Sequence, residues 1–174
     1  MRHLPFFVVI ALAACADTAP TTEPANRNLE SKAQATAGSV AFASEEAPPI
    51  VYNTTLRAEN EANGASTTES KGEAQVKILP NGTIEFSLTL NNKGDETFIQ
   101  SHIHHAPAGT NGPILWDFFL LADPDLVGPH PELRGIASPR AGADLADLIA
   151  HPDQYYVNVH SMNFPGGAVR GQLP

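Results

Sequence analysis

The sequence predicts an all-β fold, an antiparallel sandwich or partly closed barrel with one short helix. The strongest observation is a pair of alternating apolar and polar runs, residues 74–78 and 84–90, that flank Asn81-Gly82. This arrangement is the clearest short-range signal for a hairpin. Other short segments rich in β-branched and aromatic residues recur between Gly, Pro and Asn turn signals, and only one segment has helical spacing. Short strands at regular spacing indicate a sandwich or a barrel.

The first elements in chain order are a strand, a loop and the hairpin. Residues 50–56 are β-branched and aromatic and predict a strand, whereas residues 59–71 are polar and predict a loop. Asn and Gly both tolerate positive φ, so Asn81-Gly82 predicts a type I′ turn. Residues 91–95 predict the turn that follows the hairpin.

The middle of the domain contains two more strands. Residues 98–105 and the strongly apolar residues 114–121 predict strands, and residues 108–113 predict the turn between them. Residues 126–138 are rich in Pro and Gly and predict a loop with one short strand at most.

The C-terminal part contains the helix and the last two strands. Residues 142–150 have apolar residues at helical spacing, and His151-Pro152 ends the predicted helix. Residues 155–160 and 168–173 predict strands on either side of a turn at residues 164–167.

The N-terminus has the features of a secretory signal. Arg2 precedes a short apolar run, residues 4–11, that is too short to span a bilayer as a stable helix. Leu12-Ala13-Ala14-Cys15 then resembles the lipobox of bacterial lipoproteins. That resemblance implies that residues 1–14 are a lipoprotein signal peptide and that the thiol of Cys15 receives the lipid. An ordinary signal peptide with an incidental cysteine is the alternative.

The cysteine count agrees with lipidation. Cys15 is the single cysteine of the chain, and an exported protein with one cysteine cannot form an internal disulfide. We expect an exported protein whose partner is a lipid membrane, held through acylated Cys15 in the cell envelope. Ala16 follows the cysteine, which favours the outer membrane in a Gram-negative host.

A tether is predicted to separate the anchor from the folded domain. Residues 15–49 have few large apolar side chains, so they cannot bury enough apolar surface to offset the entropy of ordering. Val40-Ala41-Phe42 is the exception and could instead begin an early strand. The folded domain is predicted to span residues 50–174.

The charge of the chain excludes one class of partner. It carries 19 acidic residues and 10 Lys and Arg residues, for a formal net charge of −9. This acidity argues against binding of nucleic acid.

The histidines are the residues most suited to chemistry. Alternate side chains of a strand share a face, so His102 and His104 point the same way. His160 lies on a later strand and supplies a third imidazole if the two strands are neighbours. This set suits Cu or Zn. The alternative is that these residues only form hydrogen bonds that hold loops in place. The remaining histidines of the domain lie in loop-like contexts and are predicted to be exposed: His105, His130 and His151.

Two long motifs resemble a known family, the CHRD (chordin) domain. Residues 101–114 read Ser-His-Ile-His-His-Ala-Pro-Ala-Gly-Thr-Asn-Gly-Pro-Ile, and residues 155–173 contain Tyr-Val-Asn-Val-His-Ser and Pro-Gly-Gly-Ala-Val-Arg-Gly. The family has Thr where this chain has Ser161 and Gly where it has His105. Its opening Glu-Val-Pro segment is matched only loosely, at Glu61. The resemblance implies an immunoglobulin-like or barrel-like β domain of secreted and surface proteins.

The resemblance implies no defined activity, so two classes of function stay open. One is a binding or structural module that takes an unknown protein or small ligand, with or without a bound metal ion. The other is a metal-dependent enzyme with redox or hydrolytic chemistry at the histidines. The His-x-His is similar to that of Cu/Zn superoxide dismutase, but the chain lacks that family's disulfide cysteines and bridging-His second metal site.

Other residues of the motifs are expected to have structural roles. The glycines are expected to supply backbone angles that other residues resist, and Arg170 is expected to pair internally with a carboxylate such as that of Asp117. The structural motif residues are Asn111, Gly112, Asn158, Gly166, Gly167 and Arg170.

Overall fold

The computed structural model describes residues 47–120 and 126–174 and confirms the all-β class. In this part of the chain, nine antiparallel strands form a nearly closed, barrel-like sheet with one short α-helix. The predicted signal peptide, Cys15, residues 15–46 of the predicted tether and the candidate strand at residues 40–42 lie outside the described residues. The strands are β1 (Ile50–Arg57), β2 (Lys71–Ile78), β3 (Ile84–Asn91), β4 (Phe98–His105), β5 (Ile114–Leu120), β6 (Glu132–Ile136), β7 (Ser138–Pro139), β8 (Tyr155–Ser161) and β9 (Val169–Gln172), and the helix is α1 (Leu145–Ala150).

A single segment brings the two edges of the sheet together. The strand order is β6-β3-β2-β1-β9-β8-β4-β5-β7, and only Ala137 separates β6 from β7 in the chain. The same segment therefore pairs first with β3 and then with β5. Ala137 N donates to Ile84 O, and Arg140 N donates to Leu115 O. The sequence predicts a loop with at most one short strand here, whereas the structure has two strands. Pairing with distant strands leaves little local signal.

The predicted hairpin forms, but its predicted type I′ turn is wrong. Leu79 pairs with Thr83, and Gly82 N donates to Leu79 O, so the loop has three residues, Pro80-Asn81-Gly82. Gly82 has φ +86°, whereas Asn81 does not have positive φ. Pro80 explains the difference, because its fixed φ suits the second position of a type I turn. A type I turn followed by a left-handed residue is the common three-residue hairpin loop.

The polar segment after β1 is more ordered than the predicted loop at residues 59–71. It contains two 3-10 turns, at Ala58–Asn60 and Ala62–Gly64, and β2 already begins at Lys71.

The helix α1 begins after Asp144, whose side chain accepts hydrogen bonds from the backbone N–H of Ala146 and Asp147. No helix in the described part of the chain is both long and apolar enough to cross a membrane.

The core lies inside the barrel, and β8 is buried on both of its faces. Val157 and Val159 point into the core, where Phe86 and Phe118 also stack at 4.2 Å between ring centroids. The opposite face of β8 carries Tyr156, Asn158 and His160, which are also buried. This second face is polar and is covered by loops outside the barrel, and it contains the residues singled out by the sequence.

Candidate metal centre

Two neighbouring strands place the three histidines on one face of the sheet. Ile103 points into the core and is fully buried, so His102 and His104 point to the outer face of β4. Strand β4 pairs antiparallel with β8, with His102 opposite Asn158. His160 lies two residues beyond Asn158, within diagonal reach of His102.

The side chains of the three histidines meet. His102 Nδ1 lies 3.3 Å from His160 Nε2, and one nitrogen from each of the three rings lies within 4.8 Å of the other two. Two ligand atoms that bind one ion at about 2.0–2.1 Å lie roughly 3.3–3.6 Å apart when the angle between them is tetrahedral or trigonal. The His102–His160 pair therefore already has the spacing of two ligands on a single ion. In the described part of the chain, no other group of His, Cys, Asp and Glu residues has this arrangement.

Backbone carbonyls orient two of the rings. His104 Nδ1 lies 3.0 Å from Gly112 O, and His160 Nδ1 lies 3.0 Å from Pro165 O. A carbonyl oxygen can only accept, so both Nδ1 atoms carry the proton and both Nε2 atoms present a lone pair. His104 Nε2 is buried and has no hydrogen-bond partner. These backbone contacts are of the kind that fixes metal-ligating imidazoles in proteins.

The third ring, His102, has acceptors on both sides. Its Nδ1 faces the lone pair of His160 Nε2, and its Nε2 lies 3.4 Å from Asp117 Oδ1 without hydrogen-bond geometry. A neutral imidazole has one N–H, so it can serve only one of these two acceptors. A cation between the three rings would satisfy the Nδ1 lone pair and leave Nε2–H for Asp117.

The site keeps the imidazoles neutral. Burial, with repulsion from His160 and His104, lowers the pKa of His102 to about 3. Burial also lowers the pKa of His104 to about 4 and lowers that of His160, although the Gly112 and Pro165 carbonyls act in the opposite direction. Neutral imidazole is the form that binds metal ions, so the site stays competent at pH values at which free histidine is protonated.

A stack of side chains forms one wall of the site. The rings of His104 and Tyr156 are nearly parallel at 4.7 Å, and the Arg170 guanidinium carbon lies 3.4 Å from the Tyr156 ring centroid. Tyr156 OH accepts a hydrogen bond from Gly112 N. The stack ties strands β4, β8 and β9 to the loop that carries Gly112.

The expected pairing of Arg170 with Asp117 is wrong. Arg170 is 1 % exposed and donates to the carbonyls of Thr110 and Pro107 and to Gln172 Oε1. Asp117 instead accepts both arms of a bidentate pair from Arg140, at 2.6–3.0 Å. Arg170 points to the loop that covers the outer face, whereas Asp117 lies behind His102.

Glu61 is a buried residue that the sequence indicated only by its loose match to the family's opening segment. It is 5 % exposed, and its Oε2 accepts a hydrogen bond from Asn158 Nδ2. Burial raises the pKa of Glu61 to about 7, although Asn158 and Arg170 act in the opposite direction. A Cβ at Gly167 would lie 2.6 Å from Glu61 Oε2, so a larger residue here would displace the Glu61 carboxylate from its place beside Asn158.

The motif glycines differ in their roles. Gly167 has φ +135°, as expected for a residue that supplies an unusual backbone angle. Gly112 does not have positive φ, and its role is close approach, because a Cβ there would lie 1.9 Å from His105 O. Nothing in the structure explains Gly166, and Asn111 is exposed in the loop. The predicted exposure of the three other histidines is observed: His105, His130 and His151.

Comparison with known proteins gives one match. Residues 52–173 match the CHRD domain family, a range that contains the whole barrel from β1 to β9 except the first two residues of β1. No curated protein and no solved structure matches the chain.

Proposed function

The chain belongs to the CHRD domain family, and from this premise we propose that it is a membrane-anchored binding module of the cell envelope. Its folded domain holds one Cu or Zn ion through His102, His104 and His160, and acylated Cys15 attaches it to the membrane.

One observation carries the metal assignment. His104 Nε2 and His102 Nε2 are buried without a hydrogen-bond partner, although one nitrogen from each of the three rings lies within 4.8 Å of the other two. Burying an unsatisfied polar atom is costly, and a metal ion is a group that can accept one lone pair from each of three converging imidazoles. Imidazole nitrogens suit Cu and Zn. The carbonyls and Asp117 behind the rings provide the supporting contacts that such sites have.

The closure of the site favours binding over turnover of a substrate. His102, His104 and His160 are 0 %, 7 % and 5 % exposed. A reactive site needs an open position for a substrate. Three surface grooves instead lie on the outer faces of β1, β2, β3 and β6, and none of these three is lined by the histidine cluster.

The anchoring part of the proposal rests on the N-terminal sequence. Leu12-Ala13-Ala14-Cys15 follows a short apolar run, and lipid attachment explains the presence of a single cysteine in an exported protein. More than one acyl chain is needed for firm anchoring, because a single chain binds a membrane only marginally.

Elemental analysis of the protein purified from its native envelope tests the metal assignment. We expect about one equivalent of Cu or Zn per chain and near-complete loss in His102→Gln and His104→Gln. The matched control is His130→Gln, which changes an exposed histidine on the same domain and should retain the metal. Native protein without metal, together with refolded protein that binds neither ion, would show that the histidines are structural.

A further inference from the structure

We infer that the three-histidine centre selects monovalent copper, Cu(I), over divalent zinc and copper. This inference rests on the proposed function, since it specifies which ion the same three nitrogens hold.

The first argument is the number of ligands. One nitrogen each from His102, His104 and His160 converges, and the described part of the chain adds no fourth His, Cys, Asp or Glu to the group. Zn(II) is almost always four-coordinate in proteins and completes a three-histidine site with water or substrate. Cu(I) is stable with three nitrogen ligands, so it needs no additional ligand here.

The second argument is the lack of room for that additional ligand. The histidines are between 0 % and 7 % exposed, and Tyr156 covers one face of the His104 ring. A bound water also needs further polar partners of its own. The closed site therefore disfavours ions that require an exchangeable fourth ligand.

The third argument is charge. All three ligands are neutral, and the cost of burying an ion grows with the square of its charge, so a dication costs about four times as much as a monocation. The nearest acids do not provide an excess of negative charge. Arg140 pairs with Asp117, and Glu61 interacts with the charge of Arg170. The positive charges of Arg170 and Arg140 also act on His104.

Parallel titrations of the metal-free full chain test the selectivity. Cu(I) is titrated without oxygen against bicinchoninate as a coloured competitor, and Zn(II) is titrated against a coloured zinc chelator at the same pH. We expect one equivalent of Cu(I), bound about 100-fold or more tightly than Zn(II), which is two decades in the dissociation constant. X-ray absorption of the Cu(I) form should show three nitrogen neighbours at about 2.0 Å.

A charge variant provides a second readout that does not alter the ligands. Arg140 has a 40 % exposed side chain, so Arg140→Gln should fold, and it leaves Asp117 without its partner beside His102. The restored negative charge favours a dication more than a monocation. We expect the preference for Cu(I) over Zn(II) to fall about three- to tenfold, as for one partly screened charge. An unchanged preference would contradict the charge argument.

The outcomes separate this inference from the proposed function. Zn(II) or Cu(II) bound as tightly as Cu(I), or a four-coordinate copper site, would overturn the selectivity and leave the metal centre intact. Failure of all three ions to bind, with no effect of His104→Gln, would overturn both. Circular dichroism and urea denaturation show that each variant tested is folded.

Discussion

Replacement of Arg170 by Met tests how the outer face of the barrel is held together. Arg170 is almost fully buried, and its guanidinium donates to Thr110 O at 2.8 Å and to Pro107 O at 3.0 Å. The same group stacks on Tyr156. Met has a similar length and no donors, so the substitution removes the hydrogen bonds and the cation–π contact without opening a large cavity.

The expected loss is a substantial part of the stability of the domain. Hydrogen bonds from a charged donor contribute about 1.5–3 kcal/mol each, and a desolvated cation–π contact contributes about 2 kcal/mol. Burying Met avoids the desolvation cost of a guanidinium, which offsets part of this loss. A net loss of roughly 3–4 kcal/mol is therefore expected, from a total of about 5–15 kcal/mol. For a domain of this size it corresponds to a decrease in Tm of about 10–15 °C.

Urea denaturation of Arg170→Met beside Arg140→Met measures this difference. The Arg140–Asp117 pair is partly exposed, so Arg140→Met should cost less than about 1 kcal/mol. Amide hydrogen exchange should also accelerate in the loop that carries Pro107 and Thr110. If Arg140→Met were the more destabilising variant, or if Arg170→Met left the stability unchanged, the assignment of Arg170 as the residue that holds this loop would be refuted.

Three further predictions concern acid, the covering loop and the anchor. The pKa of His104 is lowered to about 4 in the fold and is about 6.5 in the unfolded chain. As the pH falls from 6.5 toward 4, the unfolded chain binds a proton at this ring before the folded chain does. The stability that the neutral ring contributes is therefore complete above pH 6.5 and is lost over this range. The metal-free wild type should therefore lose about 2 kcal/mol more than His104→Gln between pH 8 and pH 5 in urea denaturation; equal losses would count against the buried, neutral ring. Gly112→Ala should destabilise the domain by more than about 2 kcal/mol, because the added Cβ would overlap His105 O. Gly109 has open space around it, so Gly109→Ala should cost only about 1 kcal/mol, which reflects the positive φ at this position. Similar decreases in Tm for the two variants would contradict this. Cys15→Ser should abolish lipidation, and mass spectrometry that finds an unmodified wild-type N-terminus at residue 16 would exclude the lipoprotein assignment.

Several features of the fold were predictable because their causes are local. Alternation predicted the hairpin of β2 and β3, and helical spacing predicted α1. The same period of two placed His102 and His104 on one face, opposite to Ile103. The exact form of the hairpin turn was missed because Pro80 has a stronger effect on the backbone than the Asn-Gly pair that follows it.

The features that were missed depend on contacts between distant parts of the chain. Closure of the barrel requires the segment around Ala137 to pair with β3 and β5, which lie far from each other in the sheet. The partners of Arg170 are backbone carbonyls about sixty residues away, and a carbonyl has no signature in the sequence. The sequence therefore suggests a carboxylate such as that of Asp117 as the partner of Arg170, whereas Asp117 pairs with Arg140 in the structure.

By itself, the sequence determined the class of fold, the family motifs and the residue types available for metal binding, because periodicity and side-chain chemistry are properties of neighbouring residues. The tertiary structure alone decided that His160 joins His102 and that the protons of His104 and His160 point away from the centre. Strand pairing brings β4 beside β8, and loop carbonyls choose which nitrogen of each ring keeps its proton. The direction of a lone pair depends on groups that only the folded chain brings within hydrogen-bond distance.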